Sequence, residues 1–222
     1  MGMTPYYDRD GITIFHGDCR EVTAWLDADV MVTDPPYGLN AQLNSGGRHG
    51  YVVAKDKRVV PDWDTDLEAR DEALSRWGDK PALVFASVTM PPPVGAYPRP
   101  LVWDKGEAVG MGDVRFPWRP NYELVWAFGG GFSGRRTTSI LRFPTPPRGR
   151  LHPTEKPVDL LRELIGKCPP GVVADPFMGS GTTLRAAKDV GRRAIGVELD
   201  ERYCEIAARR LSQQVLDLGG VS

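Results

Sequence analysis

Residues 171–200 read GVVADPFMGSGTTLRAAKDVGRRAIGVELD. Val172 to Ala174 is a short apolar run of the kind that makes a buried parallel strand. Asp175 to Thr183, DPFMGSGTT, opens a helical pattern that runs from Thr182 to Val190. A second apolar run, Ala194 to Val197, ends at Glu198, seventeen residues after Gly181. The order strand, glycine turn, helix, strand, acid is that of a ligand-binding β-α-β unit. Glycines let the backbone approach a ligand closely, the helix start favours negative groups, and the acid can accept from both ribose hydroxyls. The third glycine of the dinucleotide fingerprint is absent, because Leu184 follows Thr182 and Thr183. That argues against a nicotinamide dinucleotide. A bare G-x-G taken alone fits a structural turn equally well.

The same alternation extends outward. Ile12 to His16, Asp29 to Thr33, Ala82 to Ala86, Leu101 to Trp103 and Tyr122 to Phe128 read as strands. Glu21 to Leu26 reads as an amphipathic helical turn. Leu67 to Trp77, a segment from Pro157 to about Lys167, and Glu201 to about Leu216 read as helices. Proline suits a helix start, whereas TMPPPVGAYPRP, Thr89 to Pro100, cannot be helical because proline removes amide donors and clashes with the preceding turn. Gly38 to about Asp66 and Gly129 to Pro153 read as loops. Strands spaced by helices predict an α/β fold in a single domain over residues 1–222, a mostly parallel twisted sheet with helices on both faces.

At the end of the run Asp29 to Thr33 stands DPPYG, Asp34 to Gly38. Ligands on open α/β sheets bind at the carboxyl ends of strands. Asp34 supplies a carboxylate acceptor, the Pro35 or Pro36 carbonyl a second one, and Tyr37 a flat stacking face. Such a set suits a planar group with an exocyclic amine, because two acceptors can hold its two N–H bonds and turn its lone pair toward an electrophile.

Composition narrows the classes. In 222 residues, 28 Lys and Arg against 29 Asp and Glu leave a formal charge of −1, which excludes a wholly basic nucleic-acid protein but not a local basic patch. Cys19, Cys168 and Cys204 form no C-x-x-C pair, so neither a disulfide framework nor a zinc site is expected. His16, His49 and His152 are scattered, and no metal is expected. The opening MGMTPYYDRDG has no signal-peptide layout, and Tyr6 breaks the myristoylation pattern. No apolar run approaches a membrane span, so a cytoplasmic protein is expected.

Four segments together resemble one family. HGDCREV (His16 to Val22), VTDPPYG (Val32 to Gly38), HPTEKP (His152 to Pro157) and DPFMGSGTT followed by GVELD (Gly196 to Asp200) resemble the motifs of β-class S-adenosylmethionine-dependent DNA amino-methyltransferases, with the catalytic motif before the cofactor motif. The resemblance implies a Rossmann-like class I methyltransferase fold with permuted motif order. It implies Asp18, beside Cys19, on the cofactor adenine, Glu198 and Leu199 at the ribose, and Thr154 and Lys156 at the methionine end. Asp175, Phe177, Gly179, Ser180, Gly181, Thr182 and Thr183 would form the cofactor loop, with Asp34 bordering it. Asp34, Pro35, Pro36 and Tyr37 would act on a base flipped out of double-stranded DNA. Asp at the head of the catalytic motif favours adenine N6, with cytosine N4 or a non-catalytic DNA-binding relative as alternatives.

Two departures and two basic patches bear on the DNA. MPPPVGAYP replaces a helix expected before Leu101. The stretch 129–153, where the family carries target recognition, is abbreviated, so sequence preference is relaxed or comes from other loops or from a second subunit in a homodimer. That stretch nevertheless holds Arg135, Arg136, Arg142, Arg148 and Arg150 and no acid, which suits phosphate contact. Arg48, His49, Lys55, Lys57 and Arg58 follow DPPYG with only Asp56 opposing, and that loop is placed to close over a flipped base.

Overall fold

The computed structural model describes residues 3–36, 67–88, 90–107, 117–119, 121–145 and 155–213. Their strands are β1 (Tyr7–Arg9), β2 (Ile12–His16), β3 (Val30–Thr33), β4 (Ala82–Ala86), β5 (Arg99–Asp104), β6 (Tyr122–Phe128), β7 (Ile140–Arg142), β8 (Val173–Asp175) and β9 (Ala194–Glu198). The helices are α1 (Glu68–Trp77), α2 (Val158–Gly166), α3 (Thr182–Asp189) and α4 (Glu201–Ser212), with a 3-10 turn at Ala24–Asp27.

All nine strands join one sheet in the order β1-β2-β9-β8-β3-β4-β6-β5-β7. The central five, β2, β9, β8, β3 and β4, are parallel. β6 runs antiparallel to both β4 and β5, and β7 is parallel to β5. From β8 the chain moves outward through α3 to β9, and from β3 it moves outward the other way to β4. The strand order therefore reverses between β8 and β3, and a crevice at their carboxyl ends is where open α/β sheets take ligands.

Two apolar layers hold this sheet. On one face Ile12, Ile14, Val30, Val32, Leu83 and Val173 pack against Leu160, Leu161 and Leu164 of α2, Leu184 of α3, and Ala207 and Leu211 of α4. On the other face Phe15, Met31, Val84 and Ala174 pack against Trp25 and against Ala73 and Trp77 of α1. Neighbouring residues of β3 and β4 alternate between the layers, so both faces are covered and the strands read as continuous apolar runs.

Several expectations change. β1 was not expected; it pairs with β2 across Asp10-Gly11, both at positive φ (53° and 77°), the geometry a two-residue hairpin requires. The helical turn expected over Glu21 to Leu26 is the 3-10 turn at Ala24–Asp27. The stretch 129–153 is not all loop, because Ile140–Arg142 adds a strand beside β5 and buries Leu141. Residues 90–98 carry no helix, in keeping with their prolines. Among the described residues no helix is long and apolar enough to cross a membrane.

Candidate active site

β3 and β8 deliver the two glycine- and proline-containing segments to one crevice. Register pairs Val30 with Val173 and Met31 with Ala174. At the strand ends the Thr33 hydroxyl donates to Asp175 Oδ1 at 2.7 Å, both residues being buried. Asp34 follows Thr33, and Pro35 behind it is buried while Asp34 and Pro36 are half-exposed.

Asp175 organises the glycine turn. Its Oδ1 also accepts from the Phe177 amide at 3.1 Å. Burial pushes its carboxyl up to about 6, against the opposing pull of hydrogen bonds from Thr183, Thr33 and Phe177. Gly181 caps α3 in the left-handed region at φ 75°. A Cβ there would stand 2.7 Å from the Ala207 side chain, so only glycine lets α3 start against α4. Gly179 has φ 50° and nothing within 4 Å of an added Cβ, which leaves open space over the turn. Ser180, Thr182 and Thr183 are buried. Phe177 is partly buried and packs against the apolar layer that holds Trp25.

Glu198 stands at the end of β9, directly beside β8. Its Oε2 accepts from the Gly179 amide at 2.9 Å and its Oε1 from the Asp200 amide at 2.8 Å. Burial raises its pKa, with these amides pulling the other way. His16 of β2 pairs in register with Glu198, and the Gly17 amide donates to the Glu198 carbonyl at 2.9 Å, so Asp18 stands at the adjoining strand end. Arg20 donates to Asp18, which holds the Asp18 carboxyl below its ordinary range. Cys19 is buried, its thiol pushed up to about 12 by burial, and its carbonyl accepts from Trp25 Nε1 at 2.9 Å. Leu199 is exposed.

Lys156 joins the site from the other side. Its Nζ lies 2.6 Å from Asp34 Oδ2 and 3.2 Å from Glu123 Oε2, although the side chain is only 6% exposed. Burial alone would lower the pKa of this ammonium, but the two carboxylates outweigh it and raise it. Lys156, expected at the methionine end of a cofactor, has its ammonium between the Asp34 and Glu123 carboxylates.

Three residues that sequence reasoning did not single out take part. Glu123 is the second residue of β6, and Lys105 Nζ lies 2.5 Å from its Oε1. Arg210 of α4 donates to the Ser180 carbonyl at 3.1 Å and to Thr182 Oγ1 at 2.9 Å, and pairs with Glu155. Arg210 thereby ties the glycine turn to the residue before Lys156. A lone acid near the start of an apolar strand was a visible signal for Glu123; nothing in the sequence marked its partner or Arg210.

Tyr37, Thr154, Arg48, His49, Lys55, Lys57, Arg58, Arg148 and Arg150 lie outside the described residues. Of the arginines expected to contact phosphate, the three described ones, Arg135, Arg136 and Arg142, stand at two ends of the sheet. Phe128 pairs with Ala82 at the amino end of β4, so residue 129 leaves from the sheet edge opposite Asp34. Arg135 and Arg136 follow at that far edge, where Lys167 beyond α2 donates to the Arg135 carbonyl at 2.9 Å. β7 then carries the chain back, and Arg142 reaches the carboxyl edge 3.4 Å from Asp104 Oδ2.

A sheet that reverses beside a glycine turn, with a carboxylate at each neighbouring strand end, defines a class I, Rossmann-like methyltransferase fold. The model of the DNA methylase family of N6/N4 methyltransferases matches residues 95–209, and the chain belongs to this family. It is a DNA amino-methyltransferase. It is 24% identical over 278 aligned residues to the type II methyltransferase M.ScaI of Streptomyces caespitosus, covering 96% of this chain and 86% of that protein. M1.HpyAVI, solved with SAM, superposes with a TM-score of 0.61 at 23% identity, over 90% of this chain and 100% of that one. The cytosine-N4-specific PvuII DNA methyltransferase gives a TM-score of 0.67 at 14% identity, over 97% of this chain and 91% of that one. These last two likenesses are of fold.

Proposed function

We propose that the chain transfers a methyl group from S-adenosylmethionine to the N6 amine of an adenine flipped out of duplex DNA. The observation that carries this reading is the Asp34 carboxylate, held at the end of β3 by Lys156 and one residue from the Thr33–Asp175 hydrogen bond. The residues beside it fit the cofactor: open space over Gly179 and a largely buried Glu198 at the adjoining strand end suit an adenosyl group. We assign Glu198 to the ribose hydroxyls and Asp18 to the adenine amine. Bound there, S-adenosylmethionine supplies a methyl group on a sulfonium, an electrophile.

The chain's task is to make a poor nucleophile react. The lone pair of an exocyclic amine is delocalised into the ring. Asp34 and a Pro35 or Pro36 carbonyl accept from its two N–H bonds and favour the pyramidal amine, and a carboxylate has lone pairs enough to hold Lys156 as well. As the new N–C bond formed, the methyl–sulfonium bond would break to leave a neutral thioether; positive charge would grow on the nitrogen, where Asp34 stabilises it, and the surplus N–H proton would then pass to solvent. The amine is out of reach in a stacked duplex, so the base leaves the helix, and Tyr37 gives it a stacking face. Arg142, at the catalytic edge, is the phosphate contact we assign within the recognition stretch 129–153. A DNA substrate and three buried free cysteines support a cytoplasmic enzyme.

The test is methyl transfer from labelled S-adenosylmethionine to duplex DNA of mixed sequence, followed by digestion to nucleosides and mass spectrometry. N6-methyldeoxyadenosine is expected. N4-methyldeoxycytidine would overturn the choice of base, and no methylated nucleoside would overturn the reading as a whole.

A further inference from the structure

Behind Asp34 the charges alternate in a row. Lys156 Nζ is 2.6 Å from Asp34 Oδ2 and 3.2 Å from Glu123 Oε2, and Lys105 Nζ is 2.5 Å from Glu123 Oε1. The row crosses the sheet, since Asp34 follows β3, Glu123 is the second residue of β6 and Lys105 follows β5. Aromatic rings flank it. Lys156 Nζ lies 5.1 Å from the Phe85 ring centroid and 5.8 Å from that of Trp103, and Lys105 Nζ lies 4.9 Å from Trp103. These two rings meet edge-on at 6.3 Å. Both cations thus face negative ring faces as well as carboxylates.

We propose that Glu123 is a positioning residue for methyl transfer, acting on Asp34 through Lys156 and itself held by Lys105. The proposal rests on the reading of Asp34 as the carboxylate that grips the base. A buried lysine with a single carboxylate partner concentrates its charge on that partner and weakens it as an acceptor for anything else. Glu123 divides the Lys156 charge between two carboxylates, so Asp34 keeps acceptor strength for the base amine. It also fixes the ammonium between two anchors, which gives the Asp34 carboxylate one orientation. The row of two anions and two cations is neutral, which limits the cost of burying it. Aligned acceptors matter most at the reacting nitrogen, where a displacement of about 1 Å can cost about a hundredfold in rate.

The test compares the full-length enzyme with Glu123→Gln and Lys105→Met in steady-state methyl transfer to duplex DNA, with cofactor affinity measured separately by titration. Glu123→Gln keeps the shape and removes the charge. The expected result is a fall in kcat of about 10- to 100-fold, with KM for S-adenosylmethionine and its titrated affinity within about threefold of wild type. Wild-type kcat, or a loss confined to cofactor KM, overturns the proposal. If Glu123→Gln does not fold, Lys105→Met decides: lower kcat at unchanged cofactor KM supports the role, and unchanged kcat overturns it. An Asp34→Ala variant in the same assay separates the two ideas. Full activity there removes the reading of Asp34 itself, whereas an inactive Asp34→Ala beside a fully active Glu123→Gln removes only the role of Glu123.

Discussion

The hydroxyl of Thr33 donates a 2.7 Å hydrogen bond to the carboxylate of Asp175, 142 residues further along the chain. Both side chains are buried at the ends of adjacent parallel strands. This bond ties the chain just before Asp34 to the glycine turn. The residue after Thr33 carries the carboxylate assigned to the base, and the residues after Asp175 carry the turn assigned to the cofactor. A methyl donor and its acceptor must meet within a few ångströms, and the strand pairing supplies that proximity before either is bound.

The same contact predicts a pH signature. Asp175 titrates at about 6, against about 3.9 for an unperturbed aspartate. A group that binds its proton more tightly when folded contributes stability that is complete below about pH 4 and lost as pH rises through about 6. Asp175→Asn keeps an acceptor oxygen for Thr33 and does not ionise. The melting temperature of Asp175→Asn relative to wild type is therefore expected to rise between about pH 4 and pH 7. A difference that does not change with pH contradicts the assignment.

Glu198 offers a test of the cofactor turn. Its two oxygens accept from two backbone amides, Gly179 and Asp200. Glu198→Gln would aim an NH₂ group at one of those donors and would weaken its acceptance of ribose hydroxyls. Affinity for S-adenosylmethionine, read by calorimetric titration, is expected to fall about 10- to 100-fold, the scale of losing one or two hydrogen bonds to a charged group. At saturating cofactor, kcat should stay within about threefold. Unaltered affinity would remove Glu198 from the site.

The split of the arginines makes a prediction about DNA. Arg142 stands at the carboxyl edge of the sheet, beside Asp104, and Arg135 and Arg136 at the far edge. Arg142→Ala should weaken binding evenly across sequences and reduce the slope of log affinity against log salt by about 1. The double variant Arg135→Ala, Arg136→Ala should leave that slope unaltered. The reverse pattern would place the duplex at the opposite end of the sheet.

Much of this architecture was legible in the sequence. The runs at β2, β3, β4 and β6 are short, apolar and bounded by turn residues, and they form strands with nearly the expected limits. β1 escaped because Tyr7–Arg9 has no apolar alternation, although Asp-Gly after it is a hairpin signal. Where the arginine-rich stretch runs was not legible for a different reason. Composition shows that a segment is basic, but only the antiparallel turn-back of β6 determines that it departs from the far edge. Lys156 was expected in the site, and its charge partners lie just past β3 and on β6, contacts that no local pattern encodes. Arg210 is one of two adjacent arginines on α4, and only the packing of α4 against the glycine turn distinguishes it.

The most direct measurement is the rate of labelled methyl transfer to duplex DNA by Asp34→Ala beside wild type, with cofactor binding titrated on both. Removing a group that stabilises developing charge commonly costs about 10²- to 10³-fold in kcat. The account predicts a loss of at least that size in the variant with cofactor affinity within about threefold of wild type. Transfer by Asp34→Ala at the wild-type rate would contradict it.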